Sequence, residues 1–255
     1  MKGEAIASYI FLGLGWRYLQ DAATGYPVRG EGFVLENIDT VLARLNEFDL
    51  QVTLRAATEL ATVRQELSAL PQDARLTPEQ AKRLARVMLD LQRTLQAEAL
   101  GNVAYVVTDK RLDVRKLLGR SSELFAPEVF RQLPPVARYD FTEAGFCVAF
   151  ERPTAAAFHL LRATEDVLRS YYCAIVRRDR IDPLLWGPMT EVLAKRRNPP
   201  PAELLRNLDN IRLSFRNPTQ HPDKIYDIQE AQDLFSLCVD VVNRMVRSAA
   251  WKGAA

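Results

Sequence analysis

The C-terminal fold is decided by the stretch Ala202-Glu203-Leu204-Leu205-Arg206-Asn207-Leu208-Asp209-Asn210-Ile211-Arg212-Leu213-Ser214-Phe215-Arg216-Asn217-Pro218-Thr219-Gln220-His221. Leu204, Leu208, Ile211 and Phe215 recur every three or four residues, the stripe of an amphipathic helix that buries one face. Pro199-Pro200-Pro201 precedes it. Pro218 disfavours helical geometry at Asn217 and donates no backbone hydrogen bond, so the helix is expected to end close to Arg216. Residues five apart on an unbroken helix point about 140° away from each other. A break after Arg216 puts His221 in a turn and permits the two side chains to converge.

Downstream, Asp227 with Glu230 three residues later is a capping box. It opens a last long helix striped by Ile228, Ala231, Phe235, Cys238, Val242 and Met245. Upstream, Asp140 with Glu143 is expected to cap a short helix through Phe150, and Pro153 opens a longer one to about Arg178. Trp186-Gly187-Pro188 reads as a loop. Four amphipathic helices in this order predict an up-and-down helical bundle over residues 121–255.

Residues 1–120 read as a separate, mostly helical domain. Helical patterns cover 4–20 and 35–69, separated by a turn-rich stretch at 23–32 and ended by Pro71. Thr77, Pro78 and Gln80 mark the start of a helix with apolar positions Leu84, Val87, Met88, Leu91 and Leu95, ending near Gly101. The run Asn102 to Thr108 reads as a short strand, and Lys110 to Arg120 as a connection. The expected fold class is therefore mainly α, a C-terminal helical bundle with an N-terminal helical domain that carries a short strand.

The 255 residues are 48% hydrophobic and 26% charged, which excludes wholesale disorder. A net charge of +2 does not by itself mark a nucleic-acid binder. The bases Lys195, Arg196, Arg197, Arg206, Arg212 and Arg216 are nonetheless clustered, opposed by Glu203 and Asp209. They read either as a solvated helix face or as an electrostatic footprint for phosphate.

Cys147, Cys173 and Cys238 lie among apolar residues and read as buried thiols in a reducing compartment. No Cys/His spacing suits zinc, and neither metal nor cofactor is expected. The apolar run Ala5 to Trp16 is not expected to be a signal peptide, because Glu4 offsets Lys2 and Arg17 follows at once. It is also too short to span a bilayer. A cytoplasmic protein with no membrane partner is expected.

The chemistry-bearing pair is Arg216 with His221, a guanidinium for phosphate charge and an imidazole for proton transfer. On the helix after Pro153, Glu165 falls inside the apolar stripe of Phe158, Leu161, Leu168 and Tyr172. A carboxylate on that side needs partners. One reading is an ion-pair ladder with Arg162 and Arg169; the other is that Glu165 reaches the Arg216 and His221 loop and holds its imidazole or guanidinium. His159 reads as a hydrogen-bonded structural residue or as a catalyst. Arg212, Arg169 and Tyr226 are candidate phosphate contacts, with helix-entry packing the alternative for Tyr226.

The segments Arg138 to Cys147, Thr154 to Glu165, Phe215 to His221 and Tyr226 to Ala231 together resemble the HEPN superfamily (higher eukaryotes and prokaryotes nucleotide-binding), over roughly residues 135–250. Arg216-Asn217-Pro218-Thr219-Gln220-His221 is similar to that family's motif of Arg, a polar residue, variable residues and His. The resemblance implies a bundle that dimerises so that two Arg/His loops face one groove. It implies metal-independent endoribonuclease activity, with Arg216 and His221 acting on the scissile phosphate, Asn217 shaping the loop and Glu165 supporting. RNA is then the substrate, and a toxin or anti-phage effector role, with an antitoxin or other defence-system protein as partner, follows. Other members keep only RNA binding or scaffolding. In that alternative Arg216 caps its own helix and His221 closes a turn. A third reading is an interaction protein with no nucleic-acid role.

Overall fold

A computed structural model describes residues 5–103, 105–178, 180–219, 221 and 224–251. The chain forms two compact units, residues 1–105 and 106–255, each with its own buried apolar cluster. Both are mainly helical.

The first unit contains α1 (Ile6–Gln20), α2 (Val34–Glu47), α3 (Gln51–Ala56), α4 (Thr58–Ser68) and α5 (Pro78–Ala99). The long helical pattern at 35–69 is divided into α2, α3 and α4, and Asp49, at φ 55°, turns the chain between the first two. At the start of α5 the Thr77 hydroxyl accepts from the Gln80 N–H, and the Gln80 side chain accepts from the Thr77 N–H at 3.0 Å, as the capping pattern requires. Leu19, Ile38, Val41, Leu45, Leu60, Leu84 and Met88 are fully buried at its centre.

The second unit contains α6 (Val114–Leu117), α7 (Pro135–Ala149), α8 (Pro153–Ile175), α9 (Trp186–Ala194), α10 (Ala202–Ile211), a π-helical turn (Arg212–Arg216), α11 (Asn217–Thr219) and α12 (Ile228–Val246). Helix α8 is central, packing against α7, α9 and α12, while α10 packs on α12. Tyr171, Tyr172, Phe141, Phe235 and Trp186 fill the core they share. Asp227 accepts from the Gln229 and Glu230 N–H groups, and Glu230 accepts from the Asp227 N–H, so the capping box of α12 is formed as read.

Several expectations are corrected. Among the described residues there is no strand: Val103, Tyr105 and Val106 are strongly exposed, with no ladder partner, and Ala104 lies outside the described residues. The boundary falls at 105 rather than 120, because the segment after it is tied to the second unit. Leu112 N–H donates to Gln232, Arg111 pairs with Asp233 at 2.6 Å, Ala126 N–H donates to Asn243, and Leu117 is fully buried. Helix α7 starts at Pro135, so Asp140 is a buried mid-helix residue and not a cap. Trp186-Gly187-Pro188 opens α9 instead of forming a loop, since proline is tolerated in a first helical turn. Phe158 is about half exposed, on the outer face of α8. Cys238 is buried, but Cys147 and Cys173 are only partly so, and all three are free thiols. Among the described residues no helix is long and apolar enough to cross a membrane.

Candidate functional site

The helix of Leu204, Leu208 and Ile211 does not stop at Arg216. It widens into the π-helical turn, in which the Asn217 N–H donates to the Arg212 carbonyl, and continues to Thr219 with Asn217 itself in helical geometry. The wider turn explains how Pro218 is tolerated. A proline ring collides with the carbonyl four residues before it, and a π-turn draws that carbonyl aside. The Phe215 carbonyl within this turn has two hydroxyls in hydrogen-bond reach, that of Thr219 at 2.7 Å and that of Tyr226 at 3.0 Å. The two hydroxyls also lie 2.7 Å apart, so one of them donates to the other and the second gives its proton to the carbonyl.

Tyr226 is therefore no phosphate contact. It is buried, its hydroxyl is spent on the π-turn, and its N–H donates to Thr154 at the start of α8. Of the readings open for this residue, helix-entry packing is the one found.

Glu165 on α8 takes both of its readings at once. One oxygen accepts from Arg169 at 2.8 Å, and the other stands 3.7 Å from Arg216 Nη2. The carboxylate is 14% exposed, against 28% for the Arg216 side chain, so the pair is shielded more than a surface bridge. Arg162, the other member of the expected ladder, turns away to Asp140. Among the described residues Arg216 caps no carbonyl of its own helix, and its ion-pair partner is Glu165.

Arg212 and Arg216 line one depression of about 210 Å³ together with Leu185, Trp186, Gly187, Pro188 and Asn217. Arg212 pairs with Asp209 at 3.3 Å, and its guanidinium lies over Gly187, where a side-chain carbon would stand 3.4 Å from Nη1. His221 lies in a second, shallow depression of about 410 Å³, lined also by Leu213, Asn217, Pro218 and Lys224. Arg216 and His221 thus open onto neighbouring depressions that share Asn217, rather than onto one. The backbone of His221 closes the turn after α11, its N–H donating to the Pro218 carbonyl at 2.9 Å. Gln220, Pro222 and Asp223 lie outside the described residues.

Lys224 is a site residue that sequence reasoning missed. Its ammonium bonds Glu230 at 2.6 Å and sits 4.5 Å over the Tyr226 ring, and the Glu230 hydrogen bond, opposed by partial burial, raises its pKa above the usual lysine range. It lines the same depression as His221, with Glu230 as its ion-pair partner. Lys195, Arg196, Arg197 and Arg206 are exposed and make no ion pair among the described residues.

His159 is hydrogen-bonded, as one of its two readings expects, and what sequence reasoning missed is that its partner is Asp140, shared with Arg162. Asp140 is fully buried and accepts from Arg162 Nε at 2.6 Å and Nη2 at 2.5 Å, while one of its oxygens lies 2.8 Å from His159 Nδ1. Burial opposes ionisation of this carboxyl. The hydrogen bonds from Arg162 and His159 outweigh it and hold the group below the usual carboxylate range. Their spacing on α8 was readable as i to i+3, but the acid that joins them comes from α7. No group of three or more His, Cys, Asp or Glu side chains among the described residues is placed to hold a metal ion. Compared with protein-family models, curated proteins and solved structures, the chain matches none.

Proposed function

We propose that this protein is a HEPN-type endoribonuclease that needs no metal, with His221 moving the proton and Arg216 taking the phosphate charge. The observation that carries the reading is the pair of guanidiniums on the π-turn, Arg212 and Arg216, facing a depression next to that of His221 and Lys224, with Asn217 common to both. Three positive side chains and an imidazole around a shallow, open surface suit a polyanionic strand better than a small enclosed ligand.

In this reading the ribose 2′-oxygen attacks the adjacent phosphorus, and the bond from phosphorus to the 5′ oxygen breaks. His221 takes the proton from the 2′-hydroxyl and returns it to the leaving 5′ oxygen. The products are a 2′,3′-cyclic phosphate and a 5′-hydroxyl. Arg216, tethered by Glu165, stabilises the charge that builds on the non-bridging oxygens, where a placed donor is worth roughly 3 kcal/mol of barrier. The working form is a homodimer in which two such loops share a groove, and the role is that of a cytoplasmic toxin or anti-phage effector restrained by a partner protein. The resemblance of the Arg216 to His221 motif supports these last assignments.

The separation of Arg216 and His221 into two depressions favours one other reading, a HEPN-type module that binds RNA or scaffolds a partner without cutting. The deciding experiment is RNA cleavage in EDTA by wild type, Arg216→Ala and His221→Ala, with melting followed in parallel. Loss of cleavage in both variants at unchanged melting temperature supports the nuclease. Binding of labelled RNA with no cleavage by wild type supports the binding module instead.

A further inference from the structure

Outside the π-turn, the most organised polar cluster of the second unit is the seam between α7 and α8, where Asp140 holds Arg162 and His159 together. Holding two helices to each other does not require such a group, since apolar residues of similar volume stabilise a seam at least as well as a buried ion pair. The arrangement does more than join helices, because the carboxylate engages only the inner edges of its two donors. Arg162 gives Nε and Nη2 to Asp140 and leaves Nη1 with no partner among the described residues. His159 gives Nδ1, and Nε2 has no partner either. The Arg162 side chain is 61% exposed and that of His159 27%, so both outer edges face solvent.

From these observations we infer that His159 and Arg162 form a second phosphate-binding site, in which Asp140 acts as the positioning residue behind them and a phosphate group accepts from Arg162 Nη1 and from the Nε2–H that His159 carries as an imidazolium, its Nδ1–H being given to Asp140. A planar guanidinium and an imidazole, both fixed from behind, lose little freedom on meeting a tetrahedral oxyanion, which is the main cost of binding at an open surface. Tyr139, exposed and edge-on to the His159 ring with 6.5 Å between centroids, borders the site. A further acid, Asp166, accepts from the Ala137 N–H, and burial pushes its carboxyl up.

The inference deepens the proposed function and rests on it in one respect: the phosphate is one of the RNA strand held at the π-turn. Arg162 and Arg169 are both exposed on α8, seven residues and therefore about 10 Å apart, and Arg169 shares Glu165 with Arg216. A strand following this face of α8 passes from the Arg216 depression to the seam.

Two measurements on the full chain test the site. The protein has only two histidines, so the imidazole Hε1 resonances are separated by comparison with His159→Gln. Inorganic phosphate, added at constant ionic strength against chloride, is expected to shift the His159 resonance saturably in wild type and not in Arg162→Gln. RNA affinity is then measured against salt for wild type, His159→Gln and Arg162→Gln. Each variant is expected to lower the slope of log K on log salt by about 0.7, the loss of one single-strand phosphate contact. If Arg162→Gln fails to fold, His159→Gln carries the comparison, because it leaves the Arg162 fork on Asp140. A His159 resonance indifferent to phosphate, with unchanged salt slopes, overturns the site. A phosphate shift with unchanged slopes overturns its assignment to the RNA strand and leaves free phosphate as ligand. Reduced slopes in the variants of a protein that binds RNA but does not cut it uphold the site while the nuclease reading fails.

Discussion

Glu165 stands between two arginines, its Oε2 3.7 Å from Arg216 Nη2 and its Oε1 bonded to Arg169 at 2.8 Å, so one carboxylate from α8 fixes the guanidinium that the π-turn presents. This couples the central helix of the second unit to the residue proposed to meet the scissile phosphate.

Replacing Glu165 by Gln keeps the shape and removes the charge that holds Arg216. Single-turnover RNA cleavage is expected to slow roughly tenfold, equivalent to about 1.4 kcal/mol of barrier. Folding stability is expected to change by less than about 1 kcal/mol, because the pair is only partly buried. A cleavage rate equal to wild type would show that Arg216 needs no such tether.

Tyr226→Phe removes one of the two hydroxyls of the Phe215, Thr219 and Tyr226 hydrogen-bond cluster. The cost is expected to be about 1 kcal/mol, read as a fall in melting temperature of roughly 2–4 °C. Because the Thr219 and Tyr226 hydroxyls also bond each other, Thr219→Val combined with Tyr226→Phe should cost less than the two separate losses added together. Strict additivity in chemical denaturation would mean that the hydroxyls act independently.

Gly145 sits where α7 meets the backbone of α6. A side-chain carbon there would stand 2.6 Å from the Leu117 carbonyl oxygen, closer than atoms can approach. Gly145→Ala is expected to destabilise by about 1–3 kcal/mol. Gly13, inside α1 with nothing within 4 Å of the same position, gives the opposite result. There Gly→Ala is expected to stabilise by about 0.5–1 kcal/mol, since it removes backbone freedom from the unfolded chain. Urea melts of the two variants check both signs.

The depressed carboxyl of Asp140 makes stability depend on pH in a defined direction. A group whose pKa is lower when folded contributes stability that is complete above its unfolded value of about 3.9 and is lost as pH falls through the folded value. Asp140→Asn is expected to cost about 2 kcal/mol at pH 7, because Arg162 and His159 lose an ionic acceptor. The gap between variant and wild type should narrow in melts taken below pH 4. A gap that stays constant down to pH 2 would show that the Asp140 charge contributes nothing to folding.

The helix starts at Thr77 and Asp227 were legible because a capping box is a local exchange of hydrogen bonds within four residues. The same kind of reasoning misread Asp140. Its position three residues before Glu143 imitates a cap, but Pro135 had already begun the helix, and the partners of Asp140 lie 19 and 22 residues away on α8. Pro218 misled in a similar way, since the local rule ends a helix there, while the chain widens into the π-turn and stays helical to Thr219. For Glu165, the sequence showed that a carboxylate lay inside an apolar stripe but not which arginine would answer it.

By itself the sequence determined that this is a mainly helical chain, that helices start at Thr77 and Asp227, and that His221 lies in a turn, because periodicity, proline and capping are properties of neighbouring residues. Tertiary structure decided the partners: Glu165 to Arg216, Asp140 to His159 and Arg162, and Tyr226 to the Phe215 carbonyl. A buried charge or carbonyl takes whichever donor the packing brings within 3 or 4 Å, and that choice is made between helices, where sequence spacing carries no distance.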